Sequence, residues 1–95
     1  MQGAFMNELD ILQLFYDEMK QRGVTRDQVF LTIEEDAAAM LAQKLRQPVL
    51  VEDAQKITDI CIANEWLERT TADPHYKYLS LTEAGLQVIL SSEYS

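Results

Sequence analysis

The chain has 95 residues, 47% of them hydrophobic, with sixteen acidic side chains against eight basic ones for a net charge of −8. One domain over residues 1–95 is expected at that length, with a core of helices and a small sheet that needs no disulfide or metal. Cys61 is the lone cysteine and His75 the lone histidine, which excludes an internal disulfide and leaves no metal-ligand spacing, so no cofactor is expected.

No apolar run approaches the ~20 residues of a membrane span. The start, MQGAFMNELD, lacks a basic region followed by a hydrophobic stretch. A cytoplasmic location with no membrane partner is expected. Met6 reads as an alternative initiator, which would make MQGAF an extension, and residues 1–6 are expected to pack loosely.

Asn7 to Arg22 reads as the first helix. Asn7 is a good N-cap, Leu9, Leu12, Phe15, Tyr16 and Met19 share one face, and Gly23 stands where a left-handed cap belongs. Ile11 and Leu14 fall away from that face. Thr25-Arg26-Asp27-Gln28 has the form of a capping box, and a short strand is favoured over Val29 to Leu31. Thr32-Ile33-Glu34-Glu35 is a second capping box, opening a helix with Ile33, Ala37, Met40, Leu41 and Leu45 inward. That helix must stop near Gln47, because Pro48 cannot continue it. A third helix follows from Glu52 to Asn64, with Ala54, Ile57, Ile60 and Cys61 inward.

Trp66 to Thr71 and Tyr76 to Thr82 read as two short strands around Ala72-Asp73-Pro74-His75, where proline pre-sets the turn. Leu79 and Leu81 point to one face, and Thr82 can cap a last helix running to about Ser92 with Leu86, Ile89 and Leu90 inward. The expected fold is therefore mainly α with a small β-hairpin wing, an α+β arrangement.

The residues Trp66-Leu67-Glu68-Arg69 and Leu79-Ser80-Leu81-Thr82-Glu83-Ala84-Gly85 resemble the winged helix-turn-helix superfamily, especially its MarR-like branch. There a recognition helix leads into a strand, a wing and a second strand ending in a similar "LTeaG" run. The likeness is close over residues 59–90 and elsewhere extends to element order only. Two departures stand out: the segment after Leu45 is longer than the family's tight turn, and Glu65 occupies a position where many members have glycine. Asn64 is expected to take up the left-handed geometry in its place.

The resemblance implies a DNA-binding transcriptional regulator whose partner is double-stranded DNA, with the third helix and the wing at the duplex. Helical rotation puts Glu52, Gln55, Lys56, Asp59, Ile62 and Ala63 on the outward face of the third helix. Gln55 and Lys56 are its candidate base readers, and Arg69, His75 and Lys77 are the wing's candidate DNA contacts. For Arg69 and Lys77 a solvated surface role is an equal reading, and for His75 it is the favoured one.

Charge argues the other way, since a net negative surface repels phosphates and suits a basic protein partner; an acidic winged-helix interaction module is the alternative function. Catalysis is not expected, because no nucleophile, base or metal set is legible. Trp66 and Cys61 read as packing residues. A homodimer is expected from a second apolar stripe, Ile11 and Leu14 on the first helix with Val88 on the last.

Overall fold

A computed structural model of the chain describes residues 6–72 and 76–93. Four helices and a two-stranded antiparallel hairpin form around one hydrophobic core, in a winged-helix-like layout. The helices are α1 (Glu8–Arg22), α2 (Glu35–Leu45), α3 (Val51–Ala63) and α4 (Glu83–Glu93). The strands are β1 (Leu67–Arg69) and β2 (Leu79–Leu81), in the register Leu67 to Leu81, Glu68 to Ser80 and Arg69 to Leu79. Among the described residues, no helix is long and apolar enough to cross a membrane.

α1 begins and ends where its sequence dictates. The Asn7 side chain accepts from the Asp10 N–H at 3.1 Å, and the Asp10 carboxylate accepts from the Asn7 N–H at 2.8 Å, a reciprocal capping box. Gly23 closes the helix at φ 66°, a left-handed geometry that glycine adopts without steric cost.

The buried face of α1 differs from the expected one. Ile11, Leu12, Leu14 and Phe15 are all buried, while Leu9, Tyr16 and Met19 lie half-buried at its margins. Helical rotation makes this a buried arc of about 160°. Its width follows from the packing: α1 lies against α3 and α4 and also against α2. Ile11 and Leu14, expected on an outer stripe, are therefore core residues with 0% and 2% exposure. Val88 is likewise half-buried against the core. The apolar stripe that suggested a homodimer is consumed within the chain.

Thr25 opens a single 3-10 turn over Arg26–Gln28, its N–H donating to the Gln28 side chain at 3.3 Å. The strand expected at Val29 to Leu31 is reduced to one bridge, in which Leu31 and Leu79 exchange main-chain hydrogen bonds of 3.0 and 2.8 Å. β2 therefore has β1 on one side and Leu31 on the other.

The second capping box does not form. α2 starts at Glu35 after Glu34, without a side-chain cap, and the Thr32 hydroxyl instead accepts the Tyr78 N–H at 3.1 Å. Ala37, Ala38 and Leu41 are the buried residues of α2, and Met40, expected inward, is 44% exposed.

Thr82 caps α4 as expected, its hydroxyl accepting from the Gly85 N–H at 3.0 Å. The same hydroxyl donates to the Glu65 carbonyl at 2.6 Å, so one side chain fixes both the exit of α3 and the entry of α4.

Candidate interaction surface

α3 is rotated from its expected setting. Ala54, Thr58 and Cys61 are its buried positions, with Ile57 and Ile62 packed beside them. Ile60, expected inward, is 41% exposed, and Ile62, expected outward, lies against the core. Thr58 takes the central place because its hydroxyl is satisfied inside the helix, donating to the Ala54 carbonyl at 2.8 Å.

The outer face of α3 consists of Glu52, Asp53, Lys56, Asp59, Ile60 and Ala63, all exposed. Glu52 and Asp53 sit in the first helical turn, where carboxylates are stabilised by the positive end of the helix dipole. One cation, Lys56, stands among three acids. A groove of about 260 Å³ opens beside it, walled by Met6, Val49, Asp53 and Ile57.

Gln55, a candidate base reader, has part of its amide engaged within the chain. It is half-buried, and its amide donates to the Ile33 carbonyl at 3.0 Å, tying α3 to the segment that leads into α2. Asp59 is also engaged, accepting from the Tyr76 hydroxyl at 3.1 Å across to the wing. Burial and the bond and charge of Asp59 push the Tyr76 phenol above its ordinary pKa.

On the wing, the Lys77 ammonium pairs with Glu34 at 3.2 Å, which offsets its charge and points it towards α2. Arg69 is exposed at the end of β1, near enough to Tyr76 for its charge to act on the phenol. His75 lies outside the described residues. Two carboxylates near these cations are thus engaged with the wing: Asp59 of α3 bonds Tyr76, and Glu34 pairs with Lys77.

Of the remaining cations, four are engaged and Arg46 is exposed at the end of α2. Arg22 pairs with Glu18, Arg26 with Glu83 at 3.3 Å and Lys44 with Asp17, while Lys20 lies 4.5 Å from the centre of the Tyr16 ring. Exposed pairs of this kind contribute little to stability, but they disperse positive charge over the surface.

Cys61 is fully buried, and burial, with the Glu8 charge adding to it, pushes its thiol from 9.0 up to about 12. It is a packing residue that stays protonated. Among the described residues, no group of three or more His, Cys, Asp or Glu side chains could hold a metal ion.

A second surface feature was not legible in the sequence. Phe30 and Met40 are 47% and 44% exposed, and between them lies a groove of about 240 Å³ floored by Leu14, Leu31 and Ala37 with Asp36 at its rim. The helical pattern placed Met40 inside and the strand reading left the outer face of residue 30 unassigned.

No family model, curated protein or solved structure matches this chain.

Proposed function

We propose that this chain is an acidic winged-helix interaction module that binds a cationic protein partner. The observation that carries the reading is the outer face of α3, where Glu52, Asp53 and Asp59 surround the single cation Lys56. A recognition helix in a major groove brings its outer face within reach of two phosphate backbones, where each of these carboxylates is repelled. The same face attracts lysine and arginine side chains, and complementary charge of this kind raises association rates and selects partners. Gln55 and Lys77, two of the residues proposed for DNA, are engaged by the Ile33 carbonyl and by Glu34.

A DNA-binding transcriptional regulator of the MarR-like winged helix-turn-helix kind is the second reading. It is favoured by the layout, in which α3 leads directly into the hairpin and keeps its outer face uncovered. Parallel titrations of the protein with a labelled mixed-sequence duplex and with a labelled lysine-rich peptide, at low and moderate salt, separate the two. Peptide binding without duplex binding is expected. Salt-sensitive duplex binding that Lys56→Ala weakens would replace the first reading by the second.

A further inference from the structure

The Leu31 bridge defines an unfinished sheet edge. Because Leu31 gives both its N–H and its C=O to Leu79, alternation along an extended chain turns the main-chain groups of Phe30 to the opposite side. There, neither the N–H nor the C=O of Phe30 has a hydrogen-bond partner among the described residues. The residue is 47% exposed, and on the same side of the chain the Thr32 C=O is already taken by the Glu34 N–H at 3.2 Å, which leaves the Phe30 pair as the open part of the edge.

The adjoining groove supplies what a bare edge lacks. Its floor is apolar, from Leu14, Leu31 and Ala37, and its walls are the exposed side chains of Phe30 and Met40. An open edge beside an apolar slot matches the way an extended peptide adds to a sheet: main-chain bonds hold it, and alternate side chains enter the slot. Asp36, exposed at the rim in the first turn of α2, sets the charge of the occupant, and Glu35 stands exposed beside it.

We propose that the Phe30–Thr32 edge and the groove between Phe30 and Met40 receive an extended segment of a partner protein, adding as a strand, with an aliphatic side chain in the groove and a lysine or arginine at Asp36. The inference deepens the reading of the chain as a module for cationic protein partners and rests on it. Exposed apolar edges are a hazard for association unless shielded, and here neither lysine nor proline blunts residues 30–32.

The test uses the full chain and a short synthetic peptide alternating valine and lysine, with two controls: the same peptide with a central proline, and one alternating valine and glutamate. Titration followed by amide hydrogen exchange should show the first peptide binding most tightly, with slowed exchange at Phe30 and Thr32 that neither control produces. Asp36→Lys should weaken the lysine peptide about tenfold and admit the glutamate peptide, as a charge swap demands. Met40→Asp should weaken the aliphatic contact while the variant, changed at a position 44% exposed, keeps a cooperative unfolding transition.

Equal binding of the proline peptide would overturn strand addition while leaving a cationic partner in place. Protection confined to α3 would do the same. Failure of every lysine peptide to bind would overturn the inference and the functional reading together. A concentration-dependent doubling of mass without peptide, abolished by Met40→Asp, would assign the edge to a second copy of the chain and overturn the proposed occupant.

Discussion

Gly85 lies so close to the main chain of Trp66 that a β-carbon at position 85 would stand 2.2 Å from the Trp66 carbonyl oxygen. The first turn of α4 therefore packs backbone to backbone against the residue between α3 and β1. That carbonyl also accepts the Thr82 N–H at 3.0 Å, which prevents it from swinging aside. In an open helix, alanine is better than glycine by ~1 kcal/mol. Here the clash decides the sign, and Gly85→Ala should lower stability by ~1–3 kcal/mol as overpacking does. A denaturation midpoint equal to or above that of the parent protein would show that α4 does not sit against Trp66.

Leu81 and Ile57 test the two halves of the core differently. Leu81 is fully buried in β2, whereas Ile57 is only partly covered on the flank of α3. Leu81→Ala should cost ~2–5 kcal/mol, since it leaves a cavity inside the sheet. Ile57→Ala should cost clearly less. Equal losses in urea titrations would place Ile57 as deep as Leu81.

The contrast shows where the sequence was legible. Boundaries were read correctly where a local side chain sets them: Asn7 and Gly23 for α1 and Thr82 for α4 act within a turn of their own position. The hairpin was legible for the same reason, from the alternation that puts Leu79 and Leu81 inside. Helix rotation was not, because it depends on what packs from outside. Thr58, a polar residue, is buried because its hydroxyl bonds within the helix, while Ile60, which the helical spacing predicts inward, is 41% exposed. The helical spacing puts Ile11 and Leu14 outside, since nothing local reveals that α1 is covered from several sides. Among the site residues, Lys56 and Arg69 are exposed where expected, but the partners that engage Gln55 and Lys77 lie more than twenty residues away in sequence.

Glu65 offers a test of backbone strain. It follows α3 at φ 62°, whereas Asn64, expected to hold the left-handed geometry, sits at φ −86°. The Asn64 amide instead donates to the Ile60 carbonyl at 2.9 Å and closes the helix from the side. A non-glycine residue in this region carries ~1–2 kcal/mol of steric cost. Glu65→Gly relieves it, less the greater freedom of glycine in the unfolded chain, so a net gain of ~1 kcal/mol or less is expected. Gly23→Ala, at φ 66°, should show the opposite sign. A loss of stability in Glu65→Gly would mean that its side chain makes a stabilising contact.

The Cys61 thiol makes stability depend on pH in the alkaline range. Its folded pKa is raised to about 12, so between the unfolded value, 9.0, and the folded one only the unfolded chain releases the proton. Ionisation there favours the unfolded state, and stability falls as pH rises through this window. The loss from this one group is at most ~1.4 kcal/mol per pH unit. Chemical denaturation of the parent protein and of Cys61→Ala between pH 7 and 10 should give midpoints that converge as pH rises. A constant separation across the range would mean that the thiol ionises alike in both states.

Leu14→Glu distinguishes a buried helix face from an interface. If Leu14 were on an outer stripe joining two copies, a carboxylate there would separate them and leave each folded. Within this chain, however, Leu14 is 2% exposed and lies beneath Phe30 and Met40, beside α2. An ionised carboxylate at that depth has no cationic partner among the described residues that line the groove it would face, whose rim carries Asp36. Leaving such a charge unpaired costs at least ~3 kcal/mol, a large fraction of the ~5–15 kcal/mol that holds a small domain together. Leu14→Glu is therefore expected to lose helical signal and cooperative unfolding at neutral pH, and to regain part of both as acid protonates the carboxylate. A variant that kept its helical signal and melting transition at neutral pH while its sedimenting mass halved would return Leu14 to the surface and α1 to an interface.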